Sequence, residues 1–161
     1  MANKYCITFR TSKKSGAGTD SDIEMQLVGT VGETGWTNLD EAGDSFEEGD
    51  INLFFFEFND IGTATVVRLR TREESSSPDS PDGPAWHLDR VCVYPGEVPQ
   101  EIRIILDSPI GATQYKRRLF ENALLAHPNA VVFTHDNWIY PGAYSQRGTA
   151  NEWTLTEISA D

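Results

Sequence analysis

Residues 5–27 read YCITFRTSKKSGAGTDSDIEMQL and contain two alternating segments separated by a loop of small residues. Residues 5–11 alternate, with Tyr5, Ile7 and Phe9 on one face, and residues 23–27 alternate again, with acids and Gln outward. A period of two is typical of a β-strand with one buried face. The stretch therefore predicts two antiparallel strands joined by a Gly-rich loop over residues 15–20, whose backbone carbonyls can approach a ligand closely.

The rest of the chain continues in short strand-like runs separated by turn residues. Such runs predict further strands at residues 36–39, 53–58, 61–70, 86–94, 101–106, 130–134 and 151–158. The run 53–58, LFFFEF, is apolar on nearly both faces, which favours a position at the centre of a sheet. Residues 114–126 break the pattern with helical spacing. Thr113 is the expected N-cap of that helix, and Pro128 is expected to stop it after His127.

The size and composition of the chain correspond to one ordinary domain, residues 1–161, with enough apolar surface for a core. No apolar run reaches the roughly 18 residues of a membrane span, and the N-terminus has no signal-peptide core. We therefore expect a monomer in the cytoplasm or at the periphery of a membrane, unless a signal has already been removed. Cys6 and Cys92 each lie in a strand-like run, which favours buried free thiols.

The net charge comes from one third of the chain. Twelve acids and no Lys or Arg lie between Ser15 and Val67, whereas the thirteen acids and thirteen bases elsewhere cancel to leave the total of −12. Carboxylates held close together on a folded scaffold repel one another, and calcium, which prefers oxygen ligands, is a suitable counterion. The alternative is a solvated acidic rim. The low pI of about 4.6 argues against nucleic-acid binding.

The sequence contains few signs of catalysis. The three histidines, His87, His127 and His135, show no zinc spacing with either cysteine, and His135–Asn137 is interpreted as a turn at a strand end. No nucleophile elbow and no phosphate-binding loop is present. A carboxylate pair for glycoside hydrolysis is compatible with a β-sandwich, but no pair stands out. We therefore predict that the domain is not an enzyme.

These motifs, taken in order, resemble the PLAT family (polycystin, lipoxygenase, alpha-toxin). The matching features are Tyr5-x-Ile7-x-Phe9-x-Thr11, Gly16–Ile23, Met25-x-Leu27-x-Gly29, Trp36-x-x-Leu39, Phe46-x-x-Gly49, the Phe-rich strand, Asp60–Gly62 and Trp86-x-Leu88-x-x-Val91-x-Val93. The resemblance covers residues 4–94 and resumes at 132–138, so that 95–129 reads as an insertion and 140–161 as an extension. It implies an eight-stranded antiparallel β-sandwich, here with one inserted helix near 114–126.

The resemblance also implies a non-catalytic module that binds lipid or protein, in several relatives with calcium. The positions that match its calcium ligands are Gly16, Gly18, Thr19, Asp40, Glu41, Gly43, Asp44 and Ser45, with Asp82 or Asp79. Gly16 and Ser45 stand where some relatives carry an Asp, which implies fewer ions or a lower affinity.

If calcium binds, the loops can approach a membrane. Lys13, Lys14 and Trp36 are then the expected membrane contacts, and Trp138, Tyr140 and Tyr144 are alternative anchors. A partner protein docking on the inserted helix and its basic run, residues 116–118, is the competing function. A carbohydrate-binding sandwich is a third possibility.

Overall fold

The computed structural model describes residues 2–19, 22–39, 46–72, 85–109, 111–140 and 153–161. Within them the chain forms eight strands and two helices. In chain order these are β1 (Ala2–Thr11), β2 (Asp22–Gly29), β3 (Thr37–Asn38), β4 (Ile51–Asn59), β5 (Ala64–Arg72), β6 (Trp86–Pro95), α1 (Gln100–Asp107), α2 (Thr113–Leu125), β7 (Val131–Ile139) and β8 (Thr154–Ser159).

The strands form two antiparallel four-stranded sheets that pack as a sandwich. Sheet A has the order β4-β1-β6-β7, and sheet B has the order β3-β2-β5-β8. β1 and β2, the two strands predicted from the opening stretch, therefore belong to different sheets. The predicted all-β, eight-stranded sandwich is confirmed.

The core between the sheets is built from the apolar face of each alternating strand. Ile7 and Phe9 of β1 and Met25 of β2 are fully buried in it, as the period of two requires. Trp86 is also fully buried, and its indole N–H donates a 2.9 Å hydrogen bond to Thr11 Oγ1. A buried indole needs such a partner.

A second apolar cluster lies on the outer face of sheet A, under the two helices. Cys6, Cys92 and Tyr94 of the sheet pack there against the helical segment. The residues contributed by that segment are Val98, Ile102, Phe120 and Leu124. Both cysteines are free and buried, as predicted.

One predicted strand is a helix. Residues 101–106 lie in α1, because Ile102, Ile105 and Leu106 are spaced to form one helical face that packs against this second cluster. Their apolar pattern also fits a period of two, and packing decides between the alternatives. The described ranges therefore contain two helices where the sequence predicted one.

The Phe-rich strand β4 lies at the edge of sheet A rather than at its centre. Phe54 and Phe56 stack on its inner face, with ring centroids 5.6 Å apart. On the outer face, Leu53 packs against the helical cluster, and Phe55 is 50% exposed with the Arg103 guanidinium 5.5 Å from its ring. The outer face of the strand is apolar because helices cover part of it, and not because another sheet does.

α2 begins at Thr113, which is therefore its first residue and not its N-cap. The N-cap position is Ala112, and no described side chain caps it. The helix is held instead by Glu121, a fully buried carboxylate that accepts hydrogen bonds from Arg10 (3.2 Å) and Arg90 (2.8 Å). This ion-pair cluster fixes α2 onto β1 and β6.

Candidate functional site

Residues 12–19, which follow β1, lie at one end of the sandwich and contact residues 46–50. Thr19 N–H donates to Phe46 O (3.1 Å), and Gly49 N–H donates to Ser12 O (2.8 Å). Gly16 N–H donates to the carboxylate of Glu48 at 2.9 Å. An acidic side chain thus already closes over the Gly-rich loop.

The same loop is fixed on its other side by the start of β6. Ser12 N–H donates to His87 O, and His87 N–H donates to Ala17 O, both at 3.0 Å. Three separate chain segments therefore meet at this end, which we call the loop end: residues 12–19, residues 46–50 and residues 85–87.

Two of the predicted backbone ligands have distinct roles at the loop end. Gly16 has a positive φ of +77°, a conformation that other residues adopt with strain. Gly18 lies so close to the neighbouring segment that a Cβ would stand 2.9 Å from Glu48 N and 3.1 Å from Phe46 O. Both positions therefore require glycine for structural reasons, with or without an ion. Thr19, the third predicted backbone ligand, is buried beside them.

The predicted acidic ligands Asp40, Glu41, Gly43, Asp44 and Ser45, together with Asp79 and Asp82, lie outside the described residues. Their described neighbours in the chain are at the loop end. Leu39 N–H donates to Ile23 O at the start of β2, and Phe46 is buried against the Gly-rich loop. Residues 73–84 are followed by Ala85 and Trp86, which lead into the contacts of His87.

Part of the acidic stretch is neutralised by arginines of β5. Asp22 pairs with Arg72 at 3.0 Å, and Glu24 forms a close ion pair with Arg70. These pairs lie on the outer face of sheet B, so the acids there already have protein cations as counterions. The mutual repulsion that a metal ion would relieve is accordingly smaller than the bare count of acids suggests.

The residues predicted to touch a membrane differ in exposure. Lys13 and Lys14 are exposed on the loop. Trp36 is partly buried, because the Arg70 guanidinium lies over its ring, 4.5 Å from the ring centroid. The same guanidinium lies 4.8 Å from the ring centroid of Trp153. Tyr140, which follows the last residue of β7, is 67% exposed.

A polar cluster that spacing along the chain does not predict lies beside the loop end; we call His87, Asp89 and Asp136 the His87 cluster. His87 Nδ1 is 3.5 Å from Asp89 Oδ1, and His87 Nε2 is 3.8 Å from Asp136 Oδ1. Asp136 was expected in a turn at a strand end, but it lies inside β7 with a positive φ of 44°. A β-bulge explains this difference: between the pairs Leu88↔Asn137 and Arg90↔Thr134, two residues of β7 face one residue of β6.

The two histidines of this region are close to one another. Burial lowers the pKa of His135, the neighbouring His87 lowers it further, and Asp136 opposes both effects. The ring of His87 packs edge-on against Trp138, with centroids 5.0 Å apart. Lys14 Nζ lies 3.4 Å from His87 Nε2.

The chain matches the model of a known domain family over most of its length. The model of the PLAT/LH2 domain family matches residues 5–121, which is more than half of the chain. The chain belongs to the PLAT/LH2 domain family. The resemblance inferred from the sequence motifs is thereby confirmed.

The PLAT domain also matches a curated relative. Over 93 residues it is 34% identical to lipoxygenase homology domain-containing protein 1 of Homo sapiens, and equally to that of Mus musculus. The match covers 56% of this chain but only 4% of the relative. The chain thus spans a small part of the length of the curated relatives it matches.

Two solved lipoxygenases share the fold of this PLAT domain. A lipoxygenase deletion variant aligns over 99% of this chain and 16% of its own, with a TM-score of 0.63 and 17% identity. Coral 8R-lipoxygenase, for which calcium activation via a C2-like domain is described, aligns over 98% of this chain and 17% of its own. Its TM-score is 0.60 and its identity is 15%.

A PLAT domain is a non-catalytic module of larger proteins such as lipoxygenases. Among the described residues of this chain, no helix is long and apolar enough to cross a membrane.

The His87 cluster does not follow from metal-ligand spacing along the chain, because its residues come from two strands. His87 and Asp89 are two positions apart in β6 and so lie on the same face, which was a usable signal. Asp136 is brought to them by the pairing of β6 with β7 and by a bulge, and neither can be read from spacing.

Proposed function

We propose that this PLAT domain is a non-catalytic targeting module whose loop end binds calcium and thereby docks on a lipid surface. The observation that supports this proposal is the meeting of three chain segments at one end, each next to an acidic or Gly-rich loop. In this proposal the ligands are the carbonyls around Gly16, Gly18 and Thr19, together with Asp40, Glu41, Gly43, Asp44 and Asp82. Coral 8R-lipoxygenase, which shares the fold, is described as activated by calcium via its C2-like domain.

The proposed mechanism is electrostatic. Without the ion, anionic headgroups repel the acidic loop end over a Debye length of about 8 Å. A bound calcium ion reduces the negative charge of the loop end and so weakens this repulsion. Lys13 and Lys14 then meet the headgroups, and Tyr140 and Trp36 supply aromatic contact. Tyr140 is the better placed of the two aromatic residues, because Arg70 covers one face of Trp36.

The first test is thermal unfolding in calcium against a chelator. An ion that binds only the folded state stabilises it by about 2.7 kcal/mol at 100 times its dissociation constant, so the unfolding temperature should rise in calcium. The double variant Asp40→Asn/Asp44→Asn should lose this rise. The exposed Asp107→Asn on α1 is the matched control and should keep it. An unchanged unfolding temperature at millimolar calcium would remove the ion from the proposal.

The second test is sedimentation with phosphatidylcholine/phosphatidylserine vesicles, with calcium or chelator. More protein should pellet in calcium, and Tyr140→Ser should reduce that fraction without changing the thermal response to calcium. Tyr115→Ser, which removes a similarly exposed tyrosine from α2, should pellet like the parent protein. Equal pelleting with and without calcium would contradict the lipid proposal.

A protein partner is the second candidate, favoured by the exposed apolar side chains around the helices. Phe55, Ile104, Tyr115 and Leu119 are all at least 40% exposed on β4, α1 and α2. The basic run of α2 lies nearby, although Arg117 is engaged with Ile51 O at 3.0 Å. Under this function, Lys116→Glu/Arg118→Glu should abolish partner capture, and Tyr140→Ser should leave it unchanged.

A further inference from the structure

The His87 cluster has the composition and geometry of a metal site that differs from the proposed calcium loops. We propose that His87, Asp89 and Asp136 bind a divalent transition-metal ion of the zinc type. One ligand atom from each residue lies within 4.8 Å of the other two. Zinc bonds of 2.0–2.2 Å in a tetrahedral arrangement place ligand atoms about 3.4 Å apart, so small side-chain movements complete the site.

The fold itself assembles the cluster. The bulge in β7 places His135 and Asp136 opposite the single residue Asp89 of β6. The pairing of β6 with β1 also shifts register next to Asp89, between Arg10 and Thr11 of β1. Bulges redirect side chains and are frequent next to functional sites. Two side chains from β6 and one from β7 are thereby presented together on rigid strands, which provide a more precise scaffold than loops.

The histidine of the cluster is buried without a hydrogen bond on one side. His87 is 1% exposed, and its Nδ1 has no hydrogen-bond partner among the described residues although it faces Asp89 at 3.5 Å. A buried polar atom left unpaired costs free energy, and a ligand that it can bind removes that cost. This buried nitrogen without a hydrogen bond is the second observation, beside the grouping of the ligand atoms, that points to an occupant.

The ligand chemistry selects the class of metal. Calcium prefers a shell made only of oxygen, whereas an imidazole with two carboxylates suits zinc and neighbouring transition metals. Three protein ligands leave a fourth position for water, as in open zinc sites. Asp136 has a 72% exposed side chain and Asp89 a 32% exposed one, so an ion has access from solvent.

Lys14 competes with the ion in this site. Its ammonium group lies 3.4 Å from His87 Nε2 and is a cation at the end of an exposed, flexible side chain. An ion at Nδ1 leaves the imidazole proton on Nε2, which can then no longer accept a hydrogen bond from the ammonium of Lys14, so this side chain must turn away. Removing the ammonium should therefore strengthen metal binding.

The test is titration calorimetry of the whole chain with zinc, and with calcium in parallel. We expect one zinc to bind, and we expect cobalt(II) in its place to give visible absorption bands typical of a nitrogen- and oxygen-ligated ion. Asp136→Asn, an exposed change that should leave the fold intact, should weaken zinc binding by roughly tenfold or more. Lys14→Met should tighten it. His127→Gln, which alters a histidine outside the cluster, should leave it unchanged.

The results also separate this site from the proposed calcium loops. Asp136→Asn should keep the thermal response to calcium, and Asp40→Asn/Asp44→Asn should keep the affinity for zinc. Absence of zinc binding to the parent protein, or zinc affinity equal in the parent, Asp136→Asn and Lys14→Met proteins, would overturn the proposal. A loss of zinc binding in His127→Gln would do the same.

Discussion

At the scale of single residues, the loop end depends on positions where only glycine fits. Gly18 is buried, and the backbone of residues 46–48 occupies the space that a side chain would need. A larger residue at this position must displace the main chain of residues 46–48. Because that main chain is hydrogen-bonded, displacing it costs more than displacing the end of a flexible side chain.

We predict that Gly18→Ala destabilises the domain by about 1–3 kcal/mol, the usual cost of overpacking. Denaturant unfolding measures it. Gly35→Ala is the control, because a Cβ at Gly35 meets nothing within 4 Å, and its free energy of unfolding should stay close to that of the parent. Equal stability of the two variants would mean that the contact of Gly18 with residues 46–48 relaxes without cost.

The two buried thiols give a second prediction at this scale. Burial raises the pKa of Cys6 and of Cys92 from 9.0 to about 12. Because the folded-state values are raised, the stabilisation from keeping both thiols protonated is complete below pH 9 and is lost as the pH rises toward 12. Alkylation at pH 8.5 should be very slow in the native protein and fast in denaturant. Fast labelling of the native protein would show that the helices open readily.

At the scale of elements, α2 is attached to sheet A by a buried carboxylate as well as by apolar packing. Glu121 binds two arginines from adjacent strands, and its removal would leave both cations without their partner in a partly buried site. Such a loss costs more than the pair itself contributes.

We therefore predict that Glu121→Ala costs about 3 kcal/mol, at the low end of the range for a broken buried pair, because Arg10 and Arg90 keep some contact with water. It should also accelerate alkylation of Cys92, which lies under the helices. Asn122→Ala, an exposed change in the same helix, should alter stability by less than about 0.5 kcal/mol. Similar unfolding curves for the two variants would show that apolar packing alone holds α2.

The elements that could be predicted from the sequence are those whose pattern has one physical interpretation. The alternation in β1, β2 and β5 requires one buried face, and the Gly-rich loop between the first two has the composition of a turn. α1 could not be predicted, because its apolar residues fit both periods. The position of β4 at an edge, and the cluster around His87, depend on pairing between distant segments, which local pattern does not contain.

At the scale of the whole molecule, the two sheets are joined at one margin by the residues after β8. Asp161 N–H donates to Val132 O at 2.9 Å, and its carboxylate accepts hydrogen bonds from Thr134 N (2.9 Å) and Thr134 Oγ1 (2.6 Å). Since β7 belongs to sheet A and β8 to sheet B, these contacts connect the two layers.

We predict that Asp161→Ala destabilises the sandwich by about 1 kcal/mol, because hydrogen bonds to an exposed carboxylate contribute modestly. Thermal unfolding measures the loss of stability. Hydrogen exchange, compared with the parent protein, should be accelerated more in β7 than in β6. Asp107→Ala, at the exposed end of α1, should change neither quantity. Unchanged exchange in β7 would mean that packing between the sheets holds that strand without this link.

The edge position of the Phe-rich strand β4 has a consequence for the solubility of the molecule. Gln114 accepts the outward N–H of Ile51 at 2.9 Å, and Arg117 donates to its carbonyl, so two side chains of α2 occupy hydrogen-bonding groups of the open edge. A segment such as LFFFEF with an unprotected edge is a template for pairing with the same strand of another molecule. In addition to completing the second apolar cluster, α2 thus occupies the backbone groups of Ile51 at the start of this edge, and its detachment would open that end of β4 to pairing with another chain.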